Sequence, residues 1–107
     1  MIMHGGDDGQ LDHYGFPNDY VFDWTCAELQ SRLDIGEGER MPTLDELIEV
    51  CQGAPEVLLN IELKAPCNAV IANRYDHFLA AQIVCNAIAR NHIARKTMVS
   101  SFDQKVI

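Results

Sequence analysis

The fold of this chain is decided by the stretch Leu58-Leu-Asn-Ile-Glu-Leu-Lys64. Side chains alternate across a β-strand, so one face of this stretch is predicted to be apolar while the other carries Asn60, Glu62 and Lys64. Placing a carboxylate and an ammonium inside an otherwise apolar strand is costly unless the two charges are compensated. A metal ion, an anionic substrate or both would compensate them, so the stretch predicts a binding site on a strand.

Size and composition are those of one modest globular domain. The chain has 107 residues, of which 48% are hydrophobic and 22% charged. No apolar run approaches the ~20 residues of a membrane-spanning helix, and no secretory signal is expected at the start. The formal net charge of −8 argues against nucleic acid or an anionic membrane as the main partner. The acidity indicates either a metal-binding surface or simply a solvated exterior.

Four cysteines, at positions 26, 51, 67 and 85, lie too far apart for a zinc site or a compact disulfide framework. We therefore expect all four to be reduced, which favours a cytosolic compartment. Cys51 and Cys85 fall among apolar residues of predicted helices, where a thiol packs as a small hydrophobe.

Two capping boxes predict helices that begin after Thr25 and after Thr43. Gly36 and Gly38 are expected to end the first helix, and Gly53 is expected to end the second. Before them, residues 1–4 resemble a short strand, and the Gly- and Asp-rich residues 5–15 indicate a loop.

The second half of the chain predicts a parallel sheet. A third helix is expected over residues 73–91, with Leu79, Ile83, Ala87 and Ile88 on its buried face. A strand is expected over residues 97–102. Because the two strands of this half are more than thirty residues apart, a helical crossover must join them, which is typical of parallel strands in an α/β fold.

Several motifs in this order resemble the glycerophosphodiester phosphodiesterase family, and together they extend over nearly the whole chain. They are His4 at the end of an early strand, Thr25-x-x-Glu-Leu29, Leu33-Asp-Ile-Gly36, Met41-Pro-Thr-Leu-Asp-Glu46, Asn60-Ile-Glu-Leu-Lys64 and Val99-Ser-Ser-Phe-Asp103.

The resemblance implies a fragment of a (β/α)8 TIM-type barrel, about strands 3 to 5, with residues 5–41 as a small inserted loop or subdomain. It also implies that Glu62 binds a divalent metal, Mg²⁺ or Ca²⁺, and that Lys64 lies near the substrate phosphate. His4 would act as the acid or base. The reaction implied is cleavage of a small glycerophosphodiester to glycerol 3-phosphate and an alcohol.

Each of these roles has a structural alternative. Glu62 and Lys64 could form an ion pair within the sheet, and His4 could cap a loop at the end of a strand. Asn60 could orient Glu62 or only help packing. Ser100 could line the site or only form a hydrogen bond within the barrel.

The departures from the family pattern concern the other half of the site. The family's His-Arg on the first strand and Glu-x-Asp on the second are absent, and with them a second acid/base histidine and two metal carboxylates. A closed barrel has typically about 250 residues, so we expect residues 1–107 to be a partial domain, poorly stable and inactive alone. The alternatives are a non-catalytic truncated module that binds a partner, and an unrelated α/β binding protein.

Overall fold

The computed structural model describes residues 9–65 and 69–102. Within these residues, three short 3₁₀ turns, at Asp12–Tyr14, Val21–Asp23 and Ala94–Lys96, connect longer elements. The strands are β1 (Gln10–Leu11), β2 (Phe16–Tyr20), β3 (Leu59–Leu63) and β4 (Thr97–Ser101), and the helices are α1 (Cys26–Arg32), α2 (Leu44–Gln52), α3 (Ala69–Ala72) and α4 (His77–Arg90).

Both predicted capping boxes are confirmed. At the start of α1 the Glu28 amide donates to Thr25 Oγ1 at 3.2 Å, and the Thr25 amide donates to Glu28 Oε2 at 2.8 Å. Thr43 and Glu46 make the same two contacts at the start of α2, also at 3.2 and 2.8 Å. Two donors that no helical carbonyl reaches are thus satisfied at each helix start.

The two helices differ in how well their ends were predicted. Helix α2 ends at Gly53 as expected, whereas α1 already ends at Leu33. Gly36 and Gly38 belong instead to a tight turn in which both have positive φ angles, 124° and 77°. The Gly36 amide donates to Asp34 Oδ1 at 2.8 Å, which pulls the chain out of the helix before the glycines.

Strands β3 and β4 pair in parallel, which confirms the predicted crossover. The register places Leu59 opposite Thr97 and Leu63 opposite Ser101. The strands are slightly shorter than predicted, and α3 and α4 lie in the connection between them.

Helices α2 and α4 cover one face of this sheet. Ile61 and Leu63 of β3 pack with Val84 of α4, and Leu44 of α2 adds to the same cluster. A neighbouring cluster joins Ile48 of α2 to Ala87 and Ile93. Described apolar side chains from both helices therefore bury the same side of the strands.

Two carboxylates at the start of α2 have pKa values that hydrogen bonds lower. A hydrogen bond from the Arg90 guanidinium, 2.7 Å away at the end of α4, lowers the pKa of Asp45 below its usual range. The Thr43 backbone amide, followed by the Arg40 guanidinium, lowers the pKa of Glu46. Negative charge at this position also faces the positive end of the helix dipole.

The predicted third helix needs correction. Helix α4 begins at His77, after Asp76 caps it by accepting from the Leu79 amide at 2.9 Å, and residues 69–72 form the separate short α3. Ala87 is buried as predicted and Ile88 is partly buried, but Leu79 and Ile83 are 51% and 56% exposed. Val84 points to the sheet instead, because the face of α4 that meets Ile61 and Leu63 is rotated from the expected one.

Residues 9–41 have a core of their own, and we call them the N-terminal unit. Leu11, Leu29, Leu33 and Met41 are buried together. Strands β1 and β2 pair antiparallel, so residues 10–11 are not the loop that was predicted. We call residues 42–65 and 69–102 the sheet unit; its described clusters share no buried residue with that of the N-terminal unit.

Candidate functional site

The sheet face opposite the helices carries the candidate site. As predicted, Ile61 and Leu63 are buried while Asn60 and Glu62 are exposed on the other side of β3. Lys64 follows directly after the last residue of the strand. Glu62 and Lys64 thus lie together at the carboxyl end of β3, where parallel α/β folds place their ligand sites.

Glu62 and Lys64 contact each other. Lys64 Nζ lies 3.5 Å from Glu62 Oε1, and the two side chains are 43% and 37% exposed. At this exposure water still solvates both charges, so the expected cost of burying them in an apolar strand is not incurred in the described structure. The pairing is the predicted structural alternative, and it also holds the ammonium beside the carboxylate.

Ser100 of β4 joins the same face. The register places it opposite Glu62, and Ser100 Oγ donates to Asn60 Oδ1 at 3.0 Å. Asn60 is therefore tied across the strands to Ser100. Four polar side chains from two strands, those of Asn60, Glu62, Lys64 and Ser100, form what we call the polar face.

The amino end of the same sheet side exposes apolar side chains. Leu58 is 77% exposed and Met98, the register partner of Asn60, is 62% exposed. An open depression lies here, lined by residues 58–60 and 95–98. The uncovered side thus exposes Leu58 and Met98 near the amino ends of the strands, where Arg95 and Lys96 border the depression. The polar face lies towards the carboxyl ends, and Phe102, directly after β4, is 87% exposed.

The remaining predicted site residue, His4, lies outside the described residues, as does Cys67. Across residues 9–65 and 69–102, no three His, Cys, Asp or Glu side chains are grouped so that they could hold a metal ion. Glu62 is a hard oxygen donor suited to Mg²⁺ or Ca²⁺, but in this part of the chain it could supply only one ligand. Cys26, Cys51 and Cys85 form no disulfide; Cys51 is buried as predicted, whereas Cys85 is exposed.

A contact that the sequence did not predict lies in the connection after Lys64. Arg74, which follows α3, forms an ion pair with Asp23 of the N-terminal unit and stands over the ring of Phe22. The two partners are 51 residues apart in sequence. No local spacing pattern connects residues that far apart, so only the folded structure shows the contact.

Comparison with protein-family models, with curated proteins and with solved structures finds no match to this chain. The resemblance to the phosphodiesterase family therefore rests on the motifs alone. In the part of the chain that the structure describes, none of the helices has the length and apolarity needed to cross a membrane.

Proposed function

We propose that this chain is part of a metal-dependent glycerophosphodiester phosphodiesterase and supplies one wall of its active site. The observation that carries the proposal is the position of Glu62 and Lys64. They lie side by side on the uncovered side of a parallel sheet, at the carboxyl end of β3. At that position the carboxylate could bind a divalent cation and the ammonium could bind a phosphate.

Two features support a barrel as the fold of the whole enzyme. Helices α2 and α4 pack on the same side of the strands, as the outer helices of a barrel do. On the other side, Glu62 and Ser100 of the polar face lie towards the carboxyl ends of the strands, where a barrel has its active site. The separate core of residues 9–41 supports the proposed insertion at 5–41.

Exposed apolar side chains among the described residues support a partial barrel. Leu58 and Met98, on the uncovered side of the sheet, are 77% and 62% exposed. Further polypeptide of the barrel would cover them.

The proposed chemistry assigns one role to each residue. Glu62 would provide one carboxylate ligand to Mg²⁺ or Ca²⁺, and further ligands would come from outside the described residues. The bound cation would neutralise charge on the phosphate. Lys64 releases its contact with Glu62 to donate to a phosphate oxygen, where it stabilises the charge that develops on phosphorus. His4 would protonate the departing alkoxide, a role that suits an imidazole near neutral pH.

One observation favours a second candidate, the non-catalytic module that binds a partner. Glu62 and Lys64 neutralise each other, and the described residues contain no cluster of three metal-ligating side chains. In that case the pair is structural, and the uncovered sheet face is a binding surface.

Activity of the full-length parent protein separates the two candidates. If the parent protein is a phosphodiesterase, it should turn over glycerophosphocholine when Mg²⁺ or Ca²⁺ is present. The turnover rate should fall about a hundredfold or more in Glu62→Gln and in Lys64→Met. Glu49→Gln, an exposed carboxylate on α2, is the matched control and should leave turnover unchanged.

Two outcomes would contradict these expectations. Turnover that survives unchanged in Glu62→Gln would remove Glu62 from the site, and no turnover in the parent protein would favour the module. The 107-residue chain alone is expected to give no turnover. Measurable activity from it would contradict the proposal that its site is incomplete.

A further inference from the structure

We infer that Asp23, Phe22 and Arg74 form a clasp that fastens the N-terminal unit to the connection between Lys64 and α4. The inference does not rest on the proposed reaction. Its basis is that the two units have separate cores, joined at long range by a polar and aromatic contact. Units joined in this way move relative to one another unless a specific contact holds them.

The Asp23 carboxylate takes part in two contacts at once. Oδ1 accepts from the Arg74 guanidinium, and Oδ2 accepts from the Tyr20 backbone amide at 2.9 Å. The second contact closes the turn over Val21–Asp23 and fixes the carboxylate in place. The acceptor is therefore held in position, so that less side-chain entropy is lost when Arg74 binds it.

Phe22 provides the second half of the clasp. The Arg74 Cζ atom lies 4.7 Å from the centroid of the Phe22 ring. Tyr20 stacks on Phe22, with ring centroids 5.3 Å apart and planes inclined by 9°. A planar guanidinium can stack on a ring and pair with a carboxylate at the same time, which a lysine ammonium cannot do equally well.

On the other side, the clasp holds α3 and the turn that follows it. The described part of α3 is Ala69–Ala72, and in the turn after it the Arg74 and Tyr75 amides donate to the Ile71 and Ala72 carbonyls at 2.9 and 3.4 Å. Ile71 is buried, and the Tyr75 ring meets the His77 ring edge to face with centroids 4.8 Å apart. The clasp adds to these contacts one that ties residues 69–76 to the N-terminal unit, 51 residues away in sequence.

Among the described residues, a second ion pair joins the two units but constrains them less. Arg40 pairs with Glu46, only six residues away, at the point where the chain passes from one unit to the other. Because the backbone already keeps these residues close, their pairing adds little constraint on the angle between the units. The Asp23–Arg74 contact closes a loop of 51 residues and does constrain it.

Hydrogen exchange of the full-length parent protein, measured by mass spectrometry without substrate or metal, tests the clasp. Arg74→Gln is expected to speed exchange roughly fivefold in residues 69–76 and 18–23, since an exposed ion pair and a cation–π contact are lost. Asp23→Asn keeps an acceptor for the Tyr20 amide and should speed exchange only in residues 69–76. Arg74→Lys should give an intermediate effect in both segments.

The control is Arg90→Gln, which breaks another long-range ion pair, the more exposed one with Asp45. This variant should speed exchange at the start of α2 and at the end of α4. It should leave exchange in residues 69–76 and 18–23 unchanged. The clasp is refuted if Arg74→Gln leaves both segments as protected as in the unmodified protein. It is also refuted if the unmodified protein exchanges both segments at the rate of an unfolded peptide.

A distance measurement gives a second readout. Cys26 on α1 and Cys85 on α4 are exposed, one in each unit, and can carry spin labels once positions 51 and 67 are replaced by alanine. The distance distribution between the labels should broaden in Arg74→Gln and stay narrow in Arg90→Gln. Equal distributions in the unmodified protein and in Arg74→Gln would refute the clasp.

Discussion

Replacing two successive residues of β3 by alanine should have very different effects on stability. Ile61 is 7% exposed and packs under α4, whereas Glu62 is 37% exposed and is paired only with Lys64 among its described contacts. Ile61→Ala removes three buried carbon atoms, worth about 2.4 kcal/mol of transfer free energy, and the cavity raises the loss to about 3–4 kcal/mol. Glu62→Ala removes one exposed ion pair and should cost at most about 1 kcal/mol.

Urea unfolding followed by circular dichroism measures both free energies. Complete native domains have only roughly 5–15 kcal/mol of total stability, and this partial domain is expected to have less, so Ile61→Ala should lower the unfolding midpoint markedly or leave the chain unfolded. Glu62→Ala should move the midpoint only slightly. If Glu62→Ala costs as much as Ile61→Ala, the assignment of the two sheet faces is wrong, and the polar face is buried in solution.

Three further changes around α2 have defined outcomes. Thr43→Ala removes the helix cap and should lower the free energy of unfolding by about 1 kcal/mol in urea; no loss would mean that the capping box does not form. The pKa of Glu46 is lowered on folding, so its contribution to stability is present above its unfolded pKa and is lost as the pH falls through the lower folded value. The urea midpoint should thus decrease as the pH is lowered below about 4, and it should decrease less steeply in Glu46→Gln. Parallel curves of the urea midpoint against pH for the two chains would contradict this. Lys96 Nζ donates to the carbonyls of Cys51 and Ala54 at 3.0 and 3.2 Å, so Lys96→Met should cost about 1 kcal/mol, and a more stable variant would contradict it.

Local patterns allowed much of the sheet unit to be predicted from the sequence. The capping box at Thr43 involves residues three apart, and the alternation of Ile61 and Glu62 repeats every two residues. Both signals are complete within a few positions. The parallel pairing followed from the length of the crossover, which excludes a hairpin.

The buried side of α4 could not be predicted in this way. Apolar residues occur around its whole circumference, so the helical period alone does not select one face. Leu79 and Ile83 were expected to face the core, but the described structure leaves them exposed and places Val84 against the sheet. The Asp23–Arg74 contact was also beyond local reasoning, because it depends on how the units meet.

The site itself was predicted in part. The position of Glu62 and Lys64 on one face is confirmed. The two charges were expected to need compensation by a metal or an anion, but at the observed exposure water solvates them and no such compensation is needed. The metal, the phosphate and the role of His4 remain predictions. They depend on the motifs and on ligands outside the described residues.

The most direct test of the central claim is a titration of the isotope-labelled full-length parent protein followed by nuclear magnetic resonance. Mg²⁺ and then glycerol 3-phosphate are added to the unmodified parent protein, to its Glu62→Gln variant and to the control variant Glu49→Gln. If Glu62 and Lys64 form one wall of a metal-dependent phosphodiesterase site, Mg²⁺ should shift the Glu62 signals and glycerol 3-phosphate should then shift those of Lys64. Both shifts should saturate, should persist in Glu49→Gln and should vanish in Glu62→Gln. Shifts that are absent from the unmodified parent protein, or equal in the two variants, would contradict the claim.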